Sequence, residues 1–135
     1  MTTDLDGFAP ARTYVHLSNH GGATTVDVDE HFWETLGRRE DLQDGRMLGL
    51  LQLQAGEDHS ERHPSGDELL ILLSGAVDVV FEHVDGERVA ALRGFRACVI
   101  PCGVWHRLRV HAPSEILFIT PGKGTDVRAP CGHTP

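Results

Sequence analysis

From residue 46 onward the chain is a run of short apolar segments cut at near-regular intervals by glycine and proline. Few folds accept that pattern. Residues 46–53, 68–73, 76–83, 87–92, 97–100, 105–110 and 115–120 all have strand length and composition. The joints carry Gly56, Pro64, Gly75, Gly94, Pro101, Gly103, Pro113 and Pro121. Within 76–83, Val77, Val79 and Phe81 face one way and Asp78 and Glu82 the other. Asp85-Gly86 then marks a tight hairpin. Residues 68–73 are apolar on both faces, which predicts burial on both sides. Many short strands with turns between them specify a sandwich or barrel.

The first 45 residues are less regular. Strands are expected over 11–17 and 23–28, and a short helix over 30–36. Asp27 and Glu30 have capping-box spacing, Phe32 and Leu36 share a helical face, and Gly37 is the expected stop. This helix should cover one end of the barrel. One early helix and none later excludes a βαβ fold. The expected organisation is an N-terminal arm with the helix over 1–44, a barrel over 45–121 and an extended or loosely ordered tail over 122–135. A chain of 135 residues suits one domain.

A formal net charge of -8 argues against nucleic acid and anionic membrane surfaces as partners, since both call for a basic face. No apolar run approaches the roughly 20 residues of a membrane-spanning helix. The start lacks a basic stretch followed by an apolar one. The cysteines, Cys98, Cys102 and Cys131, are odd in number and form no CxxC pair. Neither a disulfide framework nor a cysteine zinc site is suggested, and a reducing cytoplasm is expected.

The chemistry concentrates in two segments. The first runs from Gly56 through His59, Glu61, His63 and Glu68 to Gly75; the second runs from Gly94 through Pro101 and Gly103 to His106. On an extended strand Glu61 and His63 point the same way. A turn over 64–67 brings Glu68 to the start of the next strand, and His106 opens another after the Pro-x-Gly bend. If those strands converge, two imidazoles and two carboxylates meet, a donor set suited to iron, manganese, zinc or nickel. His59 shares the parity of Glu61 and could replace it as ligand if the strand bulges, or stand behind it as a supporting partner. Each residue also has a plainer reading. Glu61 could pair with Arg62 at the surface, Glu68 could sit at a turn, and the two histidines could be core residues satisfied by backbone.

The two segments resemble the motifs of the cupin superfamily. The first motif of that family is a glycine, His-x-His, a glutamate about five residues on and a later glycine; here it reads Gly56, Glu61-x-His63, Glu68 and Gly75. The second, glycine then Pro-x-Gly-x-x-His, reads Gly94 and Pro101-x-Gly103-x-x-His106. Glu61 stands where the family has its first histidine, and Val110 where it often has asparagine. The resemblance covers roughly residues 45–121. It implies an all-β jelly-roll barrel with one short N-terminal helix, a single divalent metal ion held by Glu61, His63, Glu68 and His106, and a homodimer.

Three functions follow as alternatives. The first is a metal-dependent enzyme, of dioxygenase or isomerase type, on a small organic acid or enolisable metabolite. The second is a non-catalytic metal- or metabolite-binding cupin acting as sensor or accessory protein. The third is a metal-free sugar isomerase or epimerase, which would need a pocket acid; the one tyrosine, Tyr14, lies outside the barrel motifs. Trp105, Phe81, Leu70, Leu72, Leu108 and Val110 read as packing or pocket wall. Arg46, Arg107 and Arg109 read as solvated charges, with an inward arginine available to hold a substrate carboxylate.

Overall fold

A computed structural model describes residues 6–128. Its strands form one antiparallel sheet: β1 (Thr13–Leu17), β2 (Ala23–Asp27), β3 (Arg46–Leu53), β4 (Gly56–Glu57), β5 (Ser60–Arg62), β6 (Glu68–His83), β7 (Gly86–Arg93), β8 (Arg96–Ile100), β9 (His106–Pro121) and β10 (Asp126–Arg128). One path through the sheet runs β10-β5-β9-β3-β1-β2; β4 and β6 also pair with β9, and β7 and β8 pair with β6. Among the described residues these pairings leave the sheet open at its edges. None of the described helices is long and apolar enough to cross a membrane.

Two strands of 16 residues, β6 and β9, form the spine. The sequence pattern divides each into two, and the structure joins them. The N-terminal half of β6 pairs with β8 and its C-terminal half with β7, while β9 runs along both halves. The break in periodicity is a bulge, with register shifts between Leu72 and Val77. Gly75 makes it possible at φ +98°, where a Cβ would lie 2.1 Å from Ser114 Oγ and 2.6 Å from the Pro113 carbonyl. The Ser114 hydroxyl accepts the Ala76 amide at 3.0 Å, so the bulged backbone is satisfied.

The strand over 68–73 is not buried on both faces. Leu70 and Leu72 enter the core, but Leu69 and Ile71 are half-buried and Leu73 is exposed on the outer side. An apolar run without alternation does not say which face is covered. The β6–β7 turn comprises Val84 and Asp85, with Gly86 already paired with His83, one residue earlier than the Asp-Gly dipeptide suggests.

The helical segment also departs from expectation. Its α-helix, α1, spans only Phe32–Thr35 and passes into a 3₁₀ turn over Leu36–Arg38, so Gly37 lies inside the turn and does not end it. Asp27 is the last residue of β2 and caps nothing; the Asp29 side chain accepts the His31 amide instead, at 2.9 Å. Tertiary packing fixes the segment. Phe32 and Phe118 meet Tyr14 edge-on, with ring centroids 5.3 and 5.1 Å away. Gly49 makes room for this: a Cβ there would lie 2.3 Å from the Tyr14 ring. Tyr14 is therefore a core residue.

The tail is not wholly loose. Asp126–Arg128 pairs antiparallel with Ser60–Arg62, bringing residues 122–128 back over the mouth of the sheet. Cys131 lies outside the described residues.

Candidate metal centre

Backbone pairing brings the two sequence segments together. Glu61 lies opposite His106 across β5 and β9. The intervening turn is tied to the Pro-x-Gly bend by the Gly103 amide, donating to the His63 carbonyl at 3.0 Å, and the Cys102 amide, donating to Asp67 Oδ1 at 2.8 Å. Glu68 starts β6 on the same interior side.

Glu61, His63 and His106 each offer a donor atom, all within 4.8 Å of one another. Glu68 stands beside that trio and touches both rings. Its Oε1 is 3.1 Å from His106 Nε2, and its Oε2 is 3.4 Å from His63 Nε2. Glu61 Oε2 lies 3.6 Å from the same His63 nitrogen. His63, Glu68 and His106 are buried, whereas Glu61 is half-buried at the rim. His59 is exposed; its Nε2 is 2.7 Å from Glu61 Oε1 and its Nδ1 2.8 Å from Asp58 Oδ1. His59 thus sits behind Glu61, on the solvent side.

The outer atoms of both rings are occupied. His106 Nδ1 donates to the Val104 carbonyl at 3.0 Å, which leaves Nε2 to face the cluster. His63 Nδ1 bonds the Thr125 hydroxyl at 2.9 Å. His63 Nε2 is buried with no hydrogen-bond partner, because neither carboxylate oxygen is aligned with it. Burial alone would raise the Glu68 pKa, but the His106 hydrogen bond, the His63 ring and the Thr120 hydroxyl outweigh it and hold Glu68 at about 2. Burial likewise pulls His106 down, and its bonds to Glu68 and the Val104 carbonyl carry it above the ordinary histidine value.

This donor set fits a divalent cation. Imidazole and carboxylate suit first-row metals, two carboxylates balance the charge, and the His63 nitrogen that faces the carboxylates is buried without a hydrogen bond. The cluster lines a cavity of about 480 Å³ whose walls also include Met47, Leu51, Leu70, Leu108 and Phe118. Cys102 and Tyr14 do not line it.

Arg107 departs from its sequence reading. It is buried and bonded to Glu57 at 2.9 Å, Glu82 at 3.3 Å and Glu87 at 2.8 Å. Arg109 also reaches Glu57, and Arg46 is exposed. Trp105 packs against two guanidinium groups, with Arg128 3.9 Å and Arg62 5.0 Å from its ring centre. Arg62 pairs with Asp126 rather than with Glu61. The glutamates around Arg107 carry no spacing signal; only the fold brings them to their partner.

No family model and no curated protein matches the sequence. Solved structures do. A salicylate 1,2-dioxygenase from Pseudoaminobacter salicylatoxidans, in adducts with gentisate, aligns with a TM-score of 0.53 and 16% identity over 62% of this chain and 24% of its own. An oxalate decarboxylase variant from Bacillus subtilis aligns with a TM-score of 0.50 and 15% identity over 62% of this chain and 22% of its own. This chain has the cupin fold. A cupin-2 domain protein from Shewanella frigidimarina also matches, with a TM-score of 0.49 and 24% identity over 56% of this chain and 70% of its own.

Proposed function

We propose that this cupin holds one divalent metal ion through Glu61, His63, Glu68 and His106, and is a metal-dependent enzyme of dioxygenase or isomerase type. Its substrate is a small organic acid or enolisable metabolite. The observation that carries the reading is the buried, unpartnered Nε2 of His63 facing two carboxylates. Leaving such an atom unsatisfied costs roughly 1–3 kcal/mol, a cost a bound cation removes.

When bound, the ion supplies Lewis acidity toward substrate oxygens and, if it is iron, access to dioxygen. The chain does the rest. The Val104 carbonyl and Thr125 hydroxyl set the orientation of the two rings. Glu68, ionised at neutral pH, offsets cationic charge beside both imidazoles. Much of the cavity wall is apolar, a surface suited to the non-coordinating part of a substrate. His59, partly exposed, is hydrogen-bonded to Glu61 at the solvent side of the cluster, where it can pass a proton between Glu61 and water.

The test is metal analysis of protein purified without an affinity tag, followed by oxygen-uptake and isomerisation screens with keto acids and phenols. About one ion per chain is expected, and His106→Ala should lose it with the fold retained. A metal-free wild type that takes up no iron, manganese, zinc or nickel on addition would end the proposal. Stoichiometric metal without turnover would leave a binding protein.

A further inference from the structure

The charges of the main cavity restrict what can enter it. Asp58, Glu61 and Glu68 all line it. The one arginine on its wall, Arg107, is already bonded to Glu57, Glu82 and Glu87. Lys123 is exposed in the turn between Gly122 and Gly124 and is not on the wall. Three carboxylates exceed the charge of a divalent ion, so the loaded cavity remains short of positive charge. Among the described residues of its wall, Arg107 is committed to three glutamates and His59 is bonded to Glu61, so no cationic group stands free to neutralise the carboxylate of an acid substrate, and Asp58 and Glu61 would repel it.

Away from the cluster the wall is apolar. Met47, Leu51, Leu70, Leu108 and Phe118 form it, and Trp33 stands at the opening, 55% exposed although its ring packs near Phe118. A cavity of about 480 Å³ has room for far more than two coordinating oxygens. We infer that the ligand is an uncharged, largely apolar molecule with neighbouring hydroxyl or enol oxygens at one end, and not a carboxylic acid. This rests on the metal-site reading and selects the enolisable branch of it. The oxygen-bearing end meets the histidines and glutamates, and the apolar body lies along the leucine and phenylalanine wall toward Trp33.

Three naphthalene probes of similar size test the inference: neutral 2,3-dihydroxynaphthalene, anionic 3-hydroxy-2-naphthoate and cationic 2-(aminomethyl)naphthalene. Their affinities are measured by calorimetry at neutral pH on zinc-loaded and on EDTA-treated protein. The diol should bind at least about tenfold tighter than the naphthoate in both states. Leu36→Arg, which places a cation on the half-buried rim, should narrow that gap by raising naphthoate affinity. Equal or tighter binding of the naphthoate or the ammonium probe, or no binding of any of the three, overturns the inference. Failure of the metal reading gives a different result: the diol still leads, but its affinity is the same with and without zinc.

Discussion

His106 and Arg107 are neighbours on β9, both are buried, and each is the centre of a charged cluster on opposite sides of the strand. The two clusters differ in completeness. Arg107 is enclosed by three glutamates, and Glu82 among them also receives Ser60 and Arg128. In the His106 cluster carboxylates and imidazoles converge, yet His63 Nε2 has no partner. A network that satisfies its own members is a structural tie. One that leaves a buried nitrogen without a hydrogen bond calls for a reason, and the proposed ion would supply it.

Arg107→Ala is the largest expected break. It removes the cation that ties Glu57, Glu82 and Glu87 together, leaving Glu82 only Arg128 and Ser60, and should cost about 2 kcal/mol, read as a fall in the denaturation midpoint. Metal content should be unchanged at a temperature where the variant is folded. Loss of metal with little loss of stability would reverse the roles assigned to the two clusters.

Acid separates them next. In metal-free protein, Glu68 is held below its ordinary value, so its contribution to stability is present above pH 4.5 and lost as pH falls toward 2. His106 is raised, so its contribution is complete below 6.5 and lost as pH climbs through its folded value. The pair therefore stabilises the metal-free protein most between about pH 4.5 and 6.5. The ion needs His106 without that proton, so metal affinity should already decline at a pH above 6.5 and keep falling below it. Denaturation midpoints and metal titrations across pH 4–9 check both. Metal affinity unchanged from pH 8 to pH 5 would remove the histidines from the ligand set. Arg107 stays charged throughout, so its own protonation adds no slope in that range.

Much of this was legible in the sequence. The cupin-like spacing pointed to Glu61, His63, Glu68 and His106; strand parity is a local rule, but their meeting depends on how β5, β6 and β9 come together, with His63 just past β5. The strand count was harder to read: β6 and β9 each look like two strands, since a bulge at Gly75 and a change of partner interrupt the alternation without ending the strand. The helix was overextended because Tyr14 and Phe118, distant in sequence, decide where Phe32 rests. Arg107 could not be read at all. Its three partners come from β4 and β6–β7, and nothing near it in the chain marks it as buried.

Thr125 lies in the tail just before β10. Its hydroxyl reaches His63 Nδ1 only because Asp126–Arg128 pairs with β5. The equivalent partner of His106 is a backbone carbonyl, which no substitution removes. The two rings therefore offer a controlled contrast between a replaceable support and a fixed one. Thr125→Val keeps the shape and deletes the hydrogen bond, so metal affinity should fall about tenfold, the low end for loss of a supporting partner. Stability of the metal-free protein should change by less than about 1 kcal/mol. Unchanged metal affinity in Thr125→Val would mean that packing alone orients His63, and that the returning tail is no part of the metal site.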